Sequence, residues 1–273
     1  MDLLAQYWPF VLGLMITGVC SGIAAGLLGI GGGAIIVPAL ATALSVMGFD
    51  ADVVQHVAVG TSLAIIIPTG LVSARAHFRR GALDVATLRQ WVPFIVAGTF
   101  IGGLVAGQFS GNVLRIVFAV MAFVIAANIV LGFQTRLMGH LHGSAATHRI
   151  SASVVGFISA LMGIGGGTLS VPILTAVGYD IRRAVGTASA IGFLIAIPGT
   201  IGYVLTGWSA VGLPPGSLGY VNLLAFVALV PLTALFAPVG ARLAHTIPQR
   251  ALAYAFGGFL IITSLKMFSD LIF

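Results

Sequence analysis

The chain has 273 residues, 59% of them hydrophobic and 7% charged, with a mean hydropathy of +1.14 and a net charge of +6. A water-soluble domain carries about 25% charged residues, so this composition cannot cover a water-facing surface and must face a lipid bilayer. The basic residues fall between apolar runs and never cluster beside aromatics, which argues against nucleic acid as a partner, and the single cysteine, Cys20, excludes an intrachain disulfide and a zinc cluster.

Before the first apolar run the chain has Asp2 and neither Lys nor Arg, so that run reads as a retained helix rather than a secretory signal. Apolar segments are expected at 9–30, 34–47, 53–74, 88–109, 113–133, 150–164, 168–177, 184–205, 220–244 and 248–271. The second and seventh are too short for the roughly 20 residues that span hydrocarbon, and read as half-helices or re-entrant pieces. The expected fold is an all-α polytopic membrane protein.

The pattern repeats. Residues 22–38 read GIAAGLLGIGGGAIIVP and residues 156–172 read GFISALMGIGGGTLSVP. Gly48-Phe49-Asp50 matches Gly178-Tyr179-Asp180, and Gly60-Thr61 matches Gly186-Thr187. Val92-Pro93, ahead of Gly102, matches Val230-Pro231, ahead of Gly240. Two five-segment units are expected at 1–133 and 149–273, joined by a cytoplasmic linker at 134–148. Arg75, Arg79, Arg80, Arg89, Arg136, Arg149, Arg182, Arg183, Arg242 and Arg250 all follow odd-numbered segments, leaving Arg115 and Lys266 elsewhere. Cytoplasmic loops carry the basic excess, so both termini are expected outside. A five-segment unit used twice must then enter from opposite sides, the inverted repeat of many secondary transporters.

Chemistry concentrates at the two GIGGG runs. Glycines there can unwind a helix and free backbone amides, and the short helix that follows presents a positive N-terminus. Gly31, Gly32, Gly33, Gly165, Gly166 and Gly167 are therefore candidate substrate-binding residues; the plainer alternative is tight helix packing. Candidate hydroxyl donors are Thr61, Ser62, Thr168, Thr187 and Ser189, with Ser170 beside them, set against ordinary bonding to their own helix. Bulky residues at Gly32 or Gly166 are expected to remove transport from a folded protein, and Thr61→Val to weaken substrate binding. His56 is a candidate proton relay, but an interfacial histidine fits as well and the residue is expected to be dispensable. Arg115 is expected to snorkel outward, Lys266 and Asp270 to form an i,i+4 pair, and Gly98, Gly102, Gly103 and Gly107 to serve helix packing. Asn128 and Asn222 fit either helix pairing or a lined path.

No phosphate-binding G-x-x-x-x-G-K-[ST] run is present, so transport would draw on a gradient, with proton or sodium as coupling ion, or on another subunit. No cofactor or metal is expected. An intramembrane enzyme would need a catalytic set that H-E-x-x-H or G-x-S-x-G would announce; neither occurs, and His140, His142 and His148 are expected in the cytoplasmic loop. A passive channel of the same fold is the third alternative.

The duplicated G-x-G-G-G-x-x-x-V-P, from Gly29 through Pro38 and from Gly163 through Pro172, resembles the TauE/SafE sulfite exporter family, also called the 4-toluene sulfonate uptake permease family. The resemblance runs over nearly the whole chain. It implies a secondary transporter, in the export direction, for small sulfur-containing anions such as sulfite or organosulfonates. Uptake, or a channel for another small organic anion, is the alternative. It implies no cofactor and does not specify an oligomeric state.

Overall fold

The computed structural model describes residues 2–29, 31–131, 144–243 and 249–272. The first five helices are α1 (Asp2–Leu28), α2 (Gly33–Val46), α3 (Ala51–Phe78), α4 (Val85–Ala106) and α5 (Gly111–Leu131). The next five are α6 (Ala145–Met162), α7 (Gly167–Ala176), α8 (Ile181–Thr206), α9 (Leu223–Leu243) and α10 (Gln249–Ile272). A short antiparallel hairpin, β1 (Ser217–Leu218) and β2 (Val221–Asn222), lies between α8 and α9. Among the described residues, α3, α4, α5, α6, α8 and α9 are long and apolar enough to cross a membrane. At 14 and 10 residues, α2 and α7 are the short helices expected.

The recurrent Gly-aromatic-Asp triplets are helix stops joined to helix starts. Gly48 (φ 84) and Gly178 (φ 103) take the left-handed conformation that ends α2 and α7. Phe49 N then donates to Leu44 O at 3.2 Å and Tyr179 N to Leu174 O at 3.0 Å. One residue on, Asp50 and Asp180 cap α3 and α8, accepting from Asp52 N and Arg182 N.

Packing follows the duplication. α1 lies along α9 as α6 lies along α4, α5 pairs with α10, and α3 crosses α8 at the centre. Every residue from 54 to 66 of α3 is buried, as is every residue from 186 to 192 of α8. Lipid supplies no hydrophobic drive between helices, so backbones must approach closely. A Cβ on Gly22 of α1 would stand 2.6 Å from Thr233 O of α9, and one on Gly156 of α6 would stand 2.6 Å from Ile95 O of α4. Gly98 and Gly102 sit against Ser153 and Phe157 of α6, and Gly103 against Gly202 of α8, so the α4 glycines are packing residues as expected.

Three expectations change. Residues 145–148 of the supposed linker are helical, because Ser144 caps α6 by accepting from Thr147 N at 3.1 Å. His148 is accordingly no loop residue: it is buried, and its Nδ1 accepts from Trp91 Nε1 at 2.9 Å. The rest of that stretch, with Arg136, His140 and His142, lies outside the described residues, as does Ile30. Arg115 does not snorkel: it is 6% exposed and donates to the Asp270 carbonyl at 3.3 Å, one of the carbonyls that the C-terminal end of α10 leaves without a helical partner. The Lys266–Asp270 pair is present at 4.0 Å, and Lys266 also donates to Thr42 Oγ1 at 2.6 Å.

Candidate functional site

The two glycine breaks touch each other. A Cβ on Gly31 would stand 3.4 Å from the Gly165 Cα, and one on Gly33 would stand 3.0 Å from the Ile164 Cα. Backbone meets backbone here, with the Ile66 and Ser62 side chains packed against the first run. Gly32 (φ 78) starts α2 and Gly163 (φ 68) ends α6, both in the left-handed region that a side chain would strain. The Gly163 amide donates back to Ser159 O.

What the breaks offer is not the same. At the first, hydroxyls are already committed to backbone carbonyls: Ser21 Oγ donates to Gly32 O at 3.1 Å, where Ile35 N and Ile36 N also donate, and Ser62 Oγ donates to Gly163 O at 2.7 Å. The first turn of α2 then presents the fully buried Ala34 and Ile36. The amides at the two breaks are alike, those of Gly31 to Ala34 and of Gly165 to Thr168 donating to no acceptor among the described residues, and the difference at the second lies in its hydroxyls. Thr168 Oγ1 and Ser170 Oγ are buried without a hydrogen-bond partner, and so is Ser159 Oγ on the last turn of α6. Buried polar groups are almost always paired. A cluster of unused donors at a helix N-terminus, without a fixed charge, suits an acceptor-rich ligand that must also leave.

A neighbouring glycine keeps this second break open. Ile66 and Gly192 each lie six residues beyond the matched Gly60 and Gly186. Ile66 fills the space over the first break, its Cγ2 only 2.9 Å from where a Gly31 Cβ would be. Across from it, a Cβ on Gly192 would stand 3.6 Å from both Gly165 Cα and Gly166 N, so the missing side chain leaves a gap beside those amides. Sequence reasoning passed over Gly192; the register of the repeat, Ile against Gly, was the available signal.

The remaining candidates are engaged in other bonds, Ser62 and Ser189 beside the glycine runs and Thr61, Thr187 and His56 away from them. Thr61 Oγ1 accepts from Asn222 N at 2.8 Å, just ahead of α9, and Thr187 Oγ1 accepts from Asp84 N at 3.0 Å, just ahead of α4. Each hydroxyl therefore holds the start of a helix in the other unit, where Asn222 and Asp84 are themselves the caps. Ser62 has its proton on Gly163 O and Ser189 has its proton on Val185 O, so neither hydroxyl proton is free for a ligand. His56 is 3% exposed, one turn into α3, beside the end of α4 rather than at the breaks. Asn222 does pair helices, as one of its two readings had it. A separate cleft of about 630 Å³ between α1, α2 and α10 is lined by apolar residues with Arg115, Lys266 and Asp270 among them. Among the described residues no group of three His, Cys, Asp or Glu is placed to hold a metal.

The family model described as sulfite exporter TauE/SafE matches residues 14–267. A probable membrane transporter protein of Haemophilus influenzae is 32% identical over 96% of this chain and 99% of its own length. The probable membrane transporter protein YunE of Bacillus subtilis is 30% identical over 80% of this chain and 82% of its own. The archaeal relative MJ0441 of Methanocaldococcus jannaschii, also named a probable membrane transporter protein, is 26% identical over 80% of this chain and 81% of its own. No solved structure matches the chain. With residues 14–267 matched by that family and 96% of its length by a relative of similar size, the chain belongs to the TauE/SafE sulfite exporter family, a multi-pass membrane transporter and not an enzyme.

Proposed function

We propose that this transporter exports small sulfur-containing anions, such as sulfite or an organosulfonate, and holds the anion at the second glycine break. The amides of Gly165, Gly166 and Gly167 and the amide and hydroxyl of Thr168 are the donors, with Ser170 beside them and the backbone of Gly31, Gly32 and Gly33 closing the opposite wall. The observation that carries this reading is the set of buried amides and hydroxyls without acceptors at the start of α7. An oxyanion brings several acceptor oxygens to such a set, and non-helical backbone at membrane depth is tolerated where it lines a cavity. Neutral donors bind a desolvated anion less firmly than a buried arginine would, which leaves release open. Thr61 and Thr187 serve as clamps between the units, and the central α3–α8 crossing carries the site between them.

Purified protein in proteoliposomes, offered labelled sulfite, an alkyl sulfonate, sulfate and acetate in turn, tests the proposal. Saturable flux of sulfite or the sulfonate against its own gradient is the expected result. Flux confined to acetate would remove the sulfur-anion assignment, and unsaturable conductance under voltage clamp would replace the transporter by a channel.

A further inference from the structure

His56 sits between two acceptors. Its Nδ1 lies 2.6 Å from the Asp52 carbonyl oxygen and its Nε2 lies 3.1 Å from the carbonyl oxygen of Ala106, the last residue of α4. A backbone carbonyl cannot donate. A neutral imidazole has one N–H, so either tautomer would turn a lone pair toward one of these oxygens; only the imidazolium donates to both. Two neighbours have the geometry to meet a cation. Ala106 belongs to the negative C-terminal end of α4. The Tyr220 ring stacks on the imidazole, centroids 4.6 Å apart and planes at 27°, as an aromatic face stacks on a cation.

The titratable groups around the ring are few. Asp52, on α3 itself, lies one turn away, and its carboxylate accepts from Gly111 N at the start of α5 at 2.9 Å. Tyr220 comes from the hairpin, and Tyr203 of α8 stands behind it at 6.4 Å. Burial first and Asp52 second push the Tyr220 phenol upward, so it stays neutral. The end of α4 and the start of α5 present only the Ala106 carbonyl and the Gly111 amide to this region.

We propose that His56 is a proton-binding site that couples transport to pH, which rests on the transport reading above and names its coupling ion. When protonated, the ring ties α3 to the end of α4 and to the hairpin. When it gives its proton to water at that end, one of the two N–H···O bonds is lost; loss of the Nε2 bond frees the end of α4 from the ring and leaves Asp52 and Gly111 as the remaining tie of this corner to α3. The device is one-sided. In the register of Gly60 and Gly186, the position matching His56 is the exposed Arg182, whose side-chain type keeps a fixed charge, and the backbone that packs on Gly186 as Tyr220 packs on Gly60 belongs to Ala82, which has no ring. The matched positions thus carry a titratable ring on one side and a permanent cation on the other, so a proton can act on the tie at the start of α3 without a counterpart at the start of α8.

Two measurements on the full chain in lipid test this. In ¹⁵N-histidine spectra, with His56→Gln used to identify the ring, both His56 nitrogens should carry protons at the acid end of about pH 5 to 8, the range in which imidazole changes charge, and one should be lost on raising the pH. In proteoliposomes, His56→Gln should lose the acceleration of sulfite flux by a proton gradient while sulfite–sulfite exchange persists. A single neutral tautomer across the whole range overturns the proposal, and so does gradient acceleration that survives in His56→Gln. Absence of all sulfur-anion flux in the wild type would count against the substrate and not the proton site, which the ring spectra judge by themselves.

Discussion

At the scale of single residues, the second break is where a side chain should matter most. Gly192→Ala adds a methyl group at ordinary contact distance, 3.6 Å from Gly166 N, and should leave folding and transport near wild type. Gly192→Val pushes further into the gap over the Gly165 and Gly166 amides and should cut flux while the protein remains monodisperse in detergent. Equal flux in the two variants would show that the gap is not used. The same geometry revises what to expect of Gly32. Its φ of 78 is closed to β-branched residues, and a Cβ there would run into Ser21 Oγ, so substitution disrupts the chain rather than testing the ligand. Gly166, at φ −54, meets side chains and no backbone, Ile191 Cγ2 and Ile195 Cδ1 at 2.6 Å and Ser170 Oγ at 3.2 Å, and is the cleaner position. Both glycine runs were legible in the sequence because they repeat. So was the change from Ala34 and Ile36 to Thr168 and Ser170; the φ values and the partners of Ser21, Ser62, Thr168 and Ser170 were not, since they come from tertiary contacts.

At the scale of elements, Thr61 and Thr187 read from sequence as ligand hydroxyls because they repeat, and they repeat for a different reason. Each holds the N-terminus of a helix from the other unit, α9 through Asn222 and α4 through Asp84. Thr61→Val leaves the buried Asn222 amide without its acceptor, which costs about 1–3 kcal/mol. Its expected signature is a lower unfolding temperature with an unchanged apparent substrate constant. A raised constant at unchanged stability would restore Thr61 to the site. Asp84→Ala removes a cap that accepts from Ala86 N and Thr87 N and should cost about 1 kcal/mol, read in the same unfolding experiment. Helix starts of this kind were readable in part. Asp50 and Asp180 follow a glycine and an aromatic in both units and mark their turns, whereas Asp84 and Asn222 share no such local pattern and become equivalent only once the helices are packed.

At the scale of the whole molecule, the element order, the two short helices and the duplicated packing were all present in the periodicity of hydrophobic segments and in the repeated GIGGG. Hydropathy could not see how α6 begins, because Ser144 and the polar turn after it interrupt the apolar pattern that α6 nevertheless extends. We propose that units 1–133 and 149–273 enter the membrane from opposite sides with both termini external, on the strength of the basic residues that follow odd-numbered segments. On a Cys20→Ser background, Arg80→Cys should resist an impermeant thiol reagent applied to intact cells and react once the membrane is opened. Reaction from outside would invert the topology and with it the face on which His56 meets water. For the central claim, that the unpartnered donors at the start of α7 hold the anion, the most direct measurement is the apparent constant for sulfite exchange in proteoliposomes containing Thr168→Val or Ser170→Ala. A lost hydrogen bond to a charged ligand costs about 1.5–3 kcal/mol, so each variant should weaken binding by about ten- to hundredfold while folding as the wild type does. Folded variants that exchange sulfite with an unchanged constant would contradict the account and leave the glycine breaks as a packing device.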